Sequence, residues 1–228
     1  MATIDPERLR MMYDALPVAA EARVLLVHYG AESRDLALPF AEERIERFDL
    51  ARIDLDAPDM IPTGLGRDGE GFDLIVLHGV LDHLPGRMGP RRRLARRLLR
   101  RLAERLAPQG VMAWSGRNLF EQDRLPQNLR RVLSGGSTRP LGGFGWYRRA
   151  ARTLGLHGLN IVLVMPDVGN PQALVSAAGP GARSYYRRLY TRYWRNYGIV
   201  KKIAARIILA FNLGPFLAPA FLVWGRRC

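Results

Sequence analysis

Histidine, aspartate and glycine gather in one short stretch of this chain, Gly71–Leu84, which reads GFDLIVLHGVLDHL. An imidazole titrates near neutral pH, so His83, with Asp82 beside it, can take a proton from a reacting group or hold that group in place. His83 is therefore the candidate catalytic residue, with His78 its rival. The plainer role for either is a hydrogen-bonded loop histidine. A second group, His28-Tyr29-Gly30-Ala31-Glu32, reads as a tight strand-to-helix connection. The cysteine and histidine spacing nowhere fits a zinc site. Cys228 is the single cysteine, which leaves no partner for an internal disulfide and fits a reducing compartment.

These groups need elements to position them. Leu74–Leu77 is a short apolar run between turn residues, the signature of a buried strand in a parallel sheet. Ligands of such sheets collect beyond the carboxyl ends of the strands, which places Asp82 and His83 over a pocket there. Arg23–Val27 reads as the first strand, Ser33–Glu43 as the first strong helix, and Phe48–Asp56 as a further strand ending near Asp54. A lead-in helix is read before Pro17, with Leu9, Met12, Tyr13 and Leu16 on one face. From Pro90 to Leu106, leucines at positions 94, 98, 102 and 106 predict an amphipathic helix with arginine on its other faces. Strands are predicted at Val111–Ser115, Asn160–Met165 and Ala218–Gly225, with a helix entered at Gly142–Leu154.

At 228 residues and 48% hydrophobic content, the chain can bury one sizeable core. Its net charge of +14 is unevenly spread. Residues 1–123 hold 18 Arg against 20 Asp and Glu, whereas residues 124–228 hold 17 Lys and Arg with Asp167 as the lone acid. Such asymmetry points to an anionic partner for the second half. No basic start and long apolar core occupy the first twenty residues, so the chain is expected on the cytoplasmic side.

The central stretch resembles the class I S-adenosylmethionine-dependent methyltransferases, which commonly carry FDLV, a short loop and LEHL at this place; here it stands as Phe72-Asp73-Leu74-Ile75 and Leu81-Asp82-His83-Leu84. The turn Ala107-Pro108-Gln109-Gly110 before a strand, and Gly155-Leu156 after a helix, are similar to family features as well. The resemblance covers about residues 13–165 and 218–227. It implies an α/β fold with a doubly wound, mostly parallel, Rossmann-like sheet, and S-adenosylmethionine as cofactor. Val27, His28, Tyr29, Gly30, Glu32, Asp54, Leu77, His78 and Gly79 would line the cofactor pocket, with His83 and Asn118 toward the methyl acceptor. In the family the first loop is rich in glycine, and here Gly30 alone matches. Asp54 would meet the ribose hydroxyls if its strand is the second, or lie near the adenine if it is the third. The acceptor is expected to be a small or lipid-linked molecule. A non-catalytic methyltransferase-like protein is the rival reading; nucleic acid is disfavoured, because no recognisable RNA-binding module is present and no aromatics interleave with the arginines of the helix beginning at Pro90.

The whole chain reads as one domain, with residues 176–217 forming a basic, aromatic helical insertion before the last strand. Tyr186, Tyr190, Tyr193 and Tyr197 recur at helical spacing beside Arg187, Arg188, Arg192 and Arg195. Residues 183–211 are thus expected to dock on an anionic membrane, making the protein peripheral on its inner face. The alternatives are that the aromatics pack in the chain's own core or against a protein partner. The run Ile207–Trp224 carries no charge over 18 residues, but Asn212, Pro215 and Pro219 argue against a regular membrane span.

Overall fold

The structure is a computed structural model. It describes residues 10, 12–14, 16–30, 36, 38–55, 57, 61–62, 65, 71–120, 127, 130, 140–167, 170–178, 180–193, 198–211 and 213–228. Seven strands form one sheet: β1 (Val24–His28), β2 (Ile45–Asp49), β3 (Phe72–Leu77), β4 (Leu106–Arg117), β5 (His157–Asp167), β6 (Asn170–Ser176) and β7 (Ala220–Arg226). Their order across the sheet is β2-β1-β3-β4-β7-β5-β6. β1 runs parallel to β2 and β3, and β3 parallel to β4. β7 is antiparallel to both neighbours, β4 and β5, so β5 returns to the common direction. β6 is antiparallel to β5, so five of the seven strands share one direction, the mostly parallel sheet that the resemblance implies.

The central strands are apolar on both sides, because both faces of the sheet are covered. Leu25, Val27, Ile75, Leu77, Met112 and Trp114 face one core, shared with helices α1 (Met88–Ala103) and α2 (Phe144–Thr153). Val24, Leu26, Leu74, Val76 and Ala113 face the other, which Met12, Tyr13 and Leu16 close. Within α1, Ala95, Leu98, Leu99 and Leu102 are buried. The helix stops at Ala103, and Leu106 belongs to β4.

Several sequence expectations are corrected. Among the described residues of 33–43, Leu36 and Leu38–Ala41 are not helical, and the first helical turn is the 3-10 turn Glu42–Arg44. The expected strand Phe48–Asp56 lies earlier, at Ile45–Asp49. It ends there because the Asp49 side chain accepts a hydrogen bond from the Ala51 backbone N–H (2.9 Å) and turns the chain into Leu50–Arg52. The strand predicted at Val111–Ser115 is longer than expected, as β4, and includes the turn at Pro108, where Gln109 adopts φ +64°. Asn160–Met165 widens into a hairpin, β5 with β6, whose second strand was not foreseen. Its signal was a Gly/Asn/Pro turn followed by the apolar stretch Ala173-Leu174-Val175.

Between β6 and β7 the chain forms α3 (Pro180–Tyr193), α4 (Ile199–Ala210) and the short α5 (Gly214–Leu217). The uncharged run from Ile207 is thus divided among a helix end, a turn and a strand. Among the described residues no helix is long and apolar enough to cross a membrane.

Candidate active site

Register brings the candidate residues together. Val27 pairs with Phe48 and Leu77, and Leu77 with Trp114. One residue further on, at the carboxyl ends of these parallel strands, stand His28, Asp49, His78 and Ser115. Loops at this edge are where an open α/β sheet exposes ligand-binding groups.

At the β1 end the His28 Nδ1–H donates to the Gly30 carbonyl (2.8 Å) and lies 3.7 Å from the Asp49 carboxylate. The Gly30 N–H in turn donates to Asp49 Oδ1 (2.8 Å). This bond ties the turn after β1 to the end of β2. Gly30 sits at φ +61°, a left-handed conformation that glycine adopts at no steric cost, and no atom lies within 4 Å of where a Cβ would project. Burial pushes the Asp49 carboxyl up, but the N–H groups of Gly30 and Ala51 and the charges of His28 and Arg52 outweigh it and hold the group below its ordinary range. Asp49 is therefore an ionised acceptor at neutral pH, facing a cleft of about 530 Å³ that His28, Arg47, Phe48, Arg52 and Ile53 also line. Asp54, in contrast, is exposed and lies five residues beyond the end of β2. The acid at the strand's end is Asp49, which corrects the expectation for Asp54.

At the β3 end Gly79 also adopts a left-handed conformation, φ +65°, with open space beside it. Its N–H donates to Ser115 Oγ (3.0 Å). His78 is buried and shares a hydrogen bond of 2.6 Å with the hydroxyl of Tyr13, from the lead-in segment. Burial drives the Tyr13 pKa upward, so the hydroxyl stays protonated. His78 is thereby a bonded interior histidine beneath the edge.

His83 is partly buried, and its ring stacks on Tyr29 with centroids 6.2 Å apart and planes 23° from parallel. That contact spans the loops after β1 and β3. Asp82 does not face the pocket with it. It is buried, accepts from the Arg117 N–H (2.8 Å), and lies in the field of Arg91, itself 2% exposed. Arg91 leaves the basic outer surface expected of its helix and donates to the Pro140 carbonyl (3.0 Å). Burial pushes the Arg91 pKa down while Asp82 opposes that shift. Tyr147 completes this interior cluster: burial, then Asp82, raise its pKa, and its hydroxyl donates to the Arg117 carbonyl (3.1 Å).

Asn118 is fully buried. Its amide donates to the carbonyls of Phe216 (2.7 Å) and Ala218 (2.6 Å), and its Oδ1 accepts from the Phe120 N–H (3.0 Å). The side chain expected to face an acceptor is instead a bracket between the end of β4 and the approach to β7. Glu32 lies outside the described residues. Val27 and Leu77 are core residues at 0% exposure, one position below the row that reaches the edge.

The parallel strands β2, β1, β3 and β4, with β7 antiparallel between β4 and β5, decide the architecture. The fold is a doubly wound, Rossmann-like α/β sheet with helices on its faces. No protein-family model matches the sequence, and no curated protein matches it. Among solved structures, the chain is similar to a SAM-dependent methyltransferase from Thermotoga maritima, at 10% identity over 97% of this chain and 88% of that one, with a TM-score of 0.49. It is also similar to a SAM dependent methyltransferase from Archaeoglobus fulgidus, at 12% identity over 98% of this chain and 95% of that one, again with a TM-score of 0.49.

Proposed function

We propose that the carboxyl edge binds S-adenosylmethionine and that the protein transfers a methyl group to a small-molecule or lipid-linked acceptor at an anionic membrane surface. The observation that carries this reading is the ionised Asp49 carboxylate at the end of β2, bonded to the left-handed Gly30 turn after β1. Gly30 and Gly79 each leave open space beside the backbone, and the ionised Asp49 lines the cleft that Gly30 also lines. A nucleoside needs both: bare backbone for close approach, and an anionic acceptor for its ribose hydroxyls. Asp49 Oδ1 already receives two N–H bonds, and Oδ2, 3.3 Å from the exposed Arg52 guanidinium, remains to accept from hydroxyls. The residues present thus fit the cofactor, with Asp49 taking the role first assigned to Asp54.

The bound cofactor supplies an electrophilic methyl group on a positively charged sulfur. The chain's part is alignment: the turns after β1 and β3 set the position of the nucleoside, and His83, held against Tyr29, orients the acceptor and takes its proton where one must be lost. Residues 176–217 are read as an insertion within a single catalytic domain. A second reading, a non-catalytic methyltransferase-like protein, is favoured by the first loop, His28-Tyr29-Gly30-Ala31-Glu32, which keeps a single glycine.

Amide hydrogen exchange with and without S-adenosylhomocysteine separates the two. Binding at this edge is expected to slow exchange at the backbone of residues 28–30 and 77–79. Unchanged exchange at both turns in the presence of saturating ligand contradicts the catalytic reading.

A further inference from the structure

The aromatic stripe expected to meet the membrane does not fully face outward. Tyr186 is only 4% exposed and joins the main core together with Ile208 of α4. The exposed apolar residues lie on the other side of α4: Ile199 at 78%, Ile203, Ile207 and Phe211 at 73%. Each is four positions from the next, so they form one ridge along the helix, about 18 Å long at 1.5 Å per residue. Phe216 of α5 is exposed as well, at 44%.

The charge around the ridge indicates what covers it. Arg183, Arg187, Arg188 and Arg192 on α3 are exposed, as is Arg206 on α4. No acid occurs after Asp167. A cleft of about 530 Å³ between α3 and α4 is lined by Arg183, Ser184 and Arg187 on one side and by Leu209 and Ala210 on the other. Cations and a hydroxyl opposite apolar carbon suit a phosphate headgroup at the root of its acyl chains. A protein partner would need its own acidic groups set around an apolar groove, whereas an anionic leaflet offers both layers everywhere.

We infer that α4 and α5 form an interfacial membrane anchor, in which Ile199, Ile203, Ile207, Phe211 and Phe216 enter the acyl boundary of an anionic leaflet while the arginines of α3 hold its phosphates. The anchor also orients the candidate site. Asn118 binds the Phe216 and Ala218 carbonyls, and the neighbouring Arg117 N–H binds Asp82 in the loop that carries His83. The segment that carries Phe216 is therefore tied through β4 to the loop that carries His83, and an amphiphilic acceptor would reach His83 from the bilayer. That last consequence rests on the reading of the site; the docking itself does not.

The test is co-sedimentation of the full chain with phosphatidylcholine vesicles, with and without phosphatidylglycerol. Binding is expected to require the anionic lipid and to weaken only in part at high salt, since screening acts on the charges and not on inserted side chains. Ile203→Glu with Ile207→Glu is expected to lower the partition coefficient by about tenfold or more, in a protein whose circular dichroism melt is unchanged. Arg183→Gln with Arg187→Gln is expected to weaken binding at low salt and to leave the residual binding at high salt in place. Protein left in the supernatant with anionic vesicles at low salt overturns the proposal. So does equal pelleting of the Ile203→Glu/Ile207→Glu variant, or self-association that those substitutions abolish, which would make a second copy the occupant. Calorimetry with S-adenosylmethionine on the same samples reports the site separately, so loss of cofactor binding with vesicle binding intact counts against the site alone.

Discussion

Asp49 carries two kinds of work in this structure, ending β2 and holding the turn after β1, and both depend on its charge. Its pKa in the folded chain is lowered, so its ionised form adds stability that is complete above the ordinary carboxylate pKa. That contribution disappears as the pH falls through the lowered value. Urea unfolding of Asp49→Asn against the parent is therefore expected to show a clear loss at pH ~7 that shrinks as the pH is taken below the ordinary carboxylate range. A loss that does not change with pH would mean that the charge does not matter to the turn. The residue was hidden in the sequence because FDLARIDLD alternates apolar and polar positions past Asp49, and the bond that stops the strand is made by a side chain to backbone two residues on. His28 and His78 were legible as edge residues. Their environments were not, since Tyr13 and Asp49 come from distant or misjudged segments.

Elements differ in how far their own residues determine them. β1, β3 and β7 were readable because burial on both faces demands unbroken apolar runs, which FDLIVL and AFLVWG supply. β6 is an edge strand, where pairing on one side leaves a weaker pattern. The helix expected from Ser33 rested on Leu36, Ala37 and Phe40; Leu36 and Leu38 are instead buried against the second sheet face in non-helical chain. Tertiary packing set those conformations, and local spacing could not report it. Asn118 joins elements far apart in sequence, and no spacing rule could identify its partners. Asn118→Ala would leave the Phe216 and Ala218 carbonyls buried without that donor, at a cost on the order of 2–4 kcal/mol in denaturant unfolding. A loss of turnover with stability unchanged would return Asn118 to the acceptor side.

At the scale of the whole molecule, the two halves of the chain divide the labour. The first supplies the strands and turns of the candidate cofactor edge, and the second supplies the antiparallel strands, the helices α3 to α5 with no acid among them, and the exposed ridge. The charge asymmetry was plain in the sequence. The side of each helix that meets solvent depended on Tyr186 and Ile208 turning inward together. The central claim is that the carboxyl edge is a nucleoside site, and it is tested most directly by calorimetric titration of the full chain with S-adenosylmethionine, in parallel with Gly30→Val. The expected result is saturable binding of one cofactor per chain by the parent and none by the variant. The variant should still fold, at a cost of about 1–2 kcal/mol for a non-glycine residue at φ +61°, because no protein atom occupies the space its Cβ would take. An absence of binding heat with the folded parent, or undiminished affinity in folded Gly30→Val, would contradict the account.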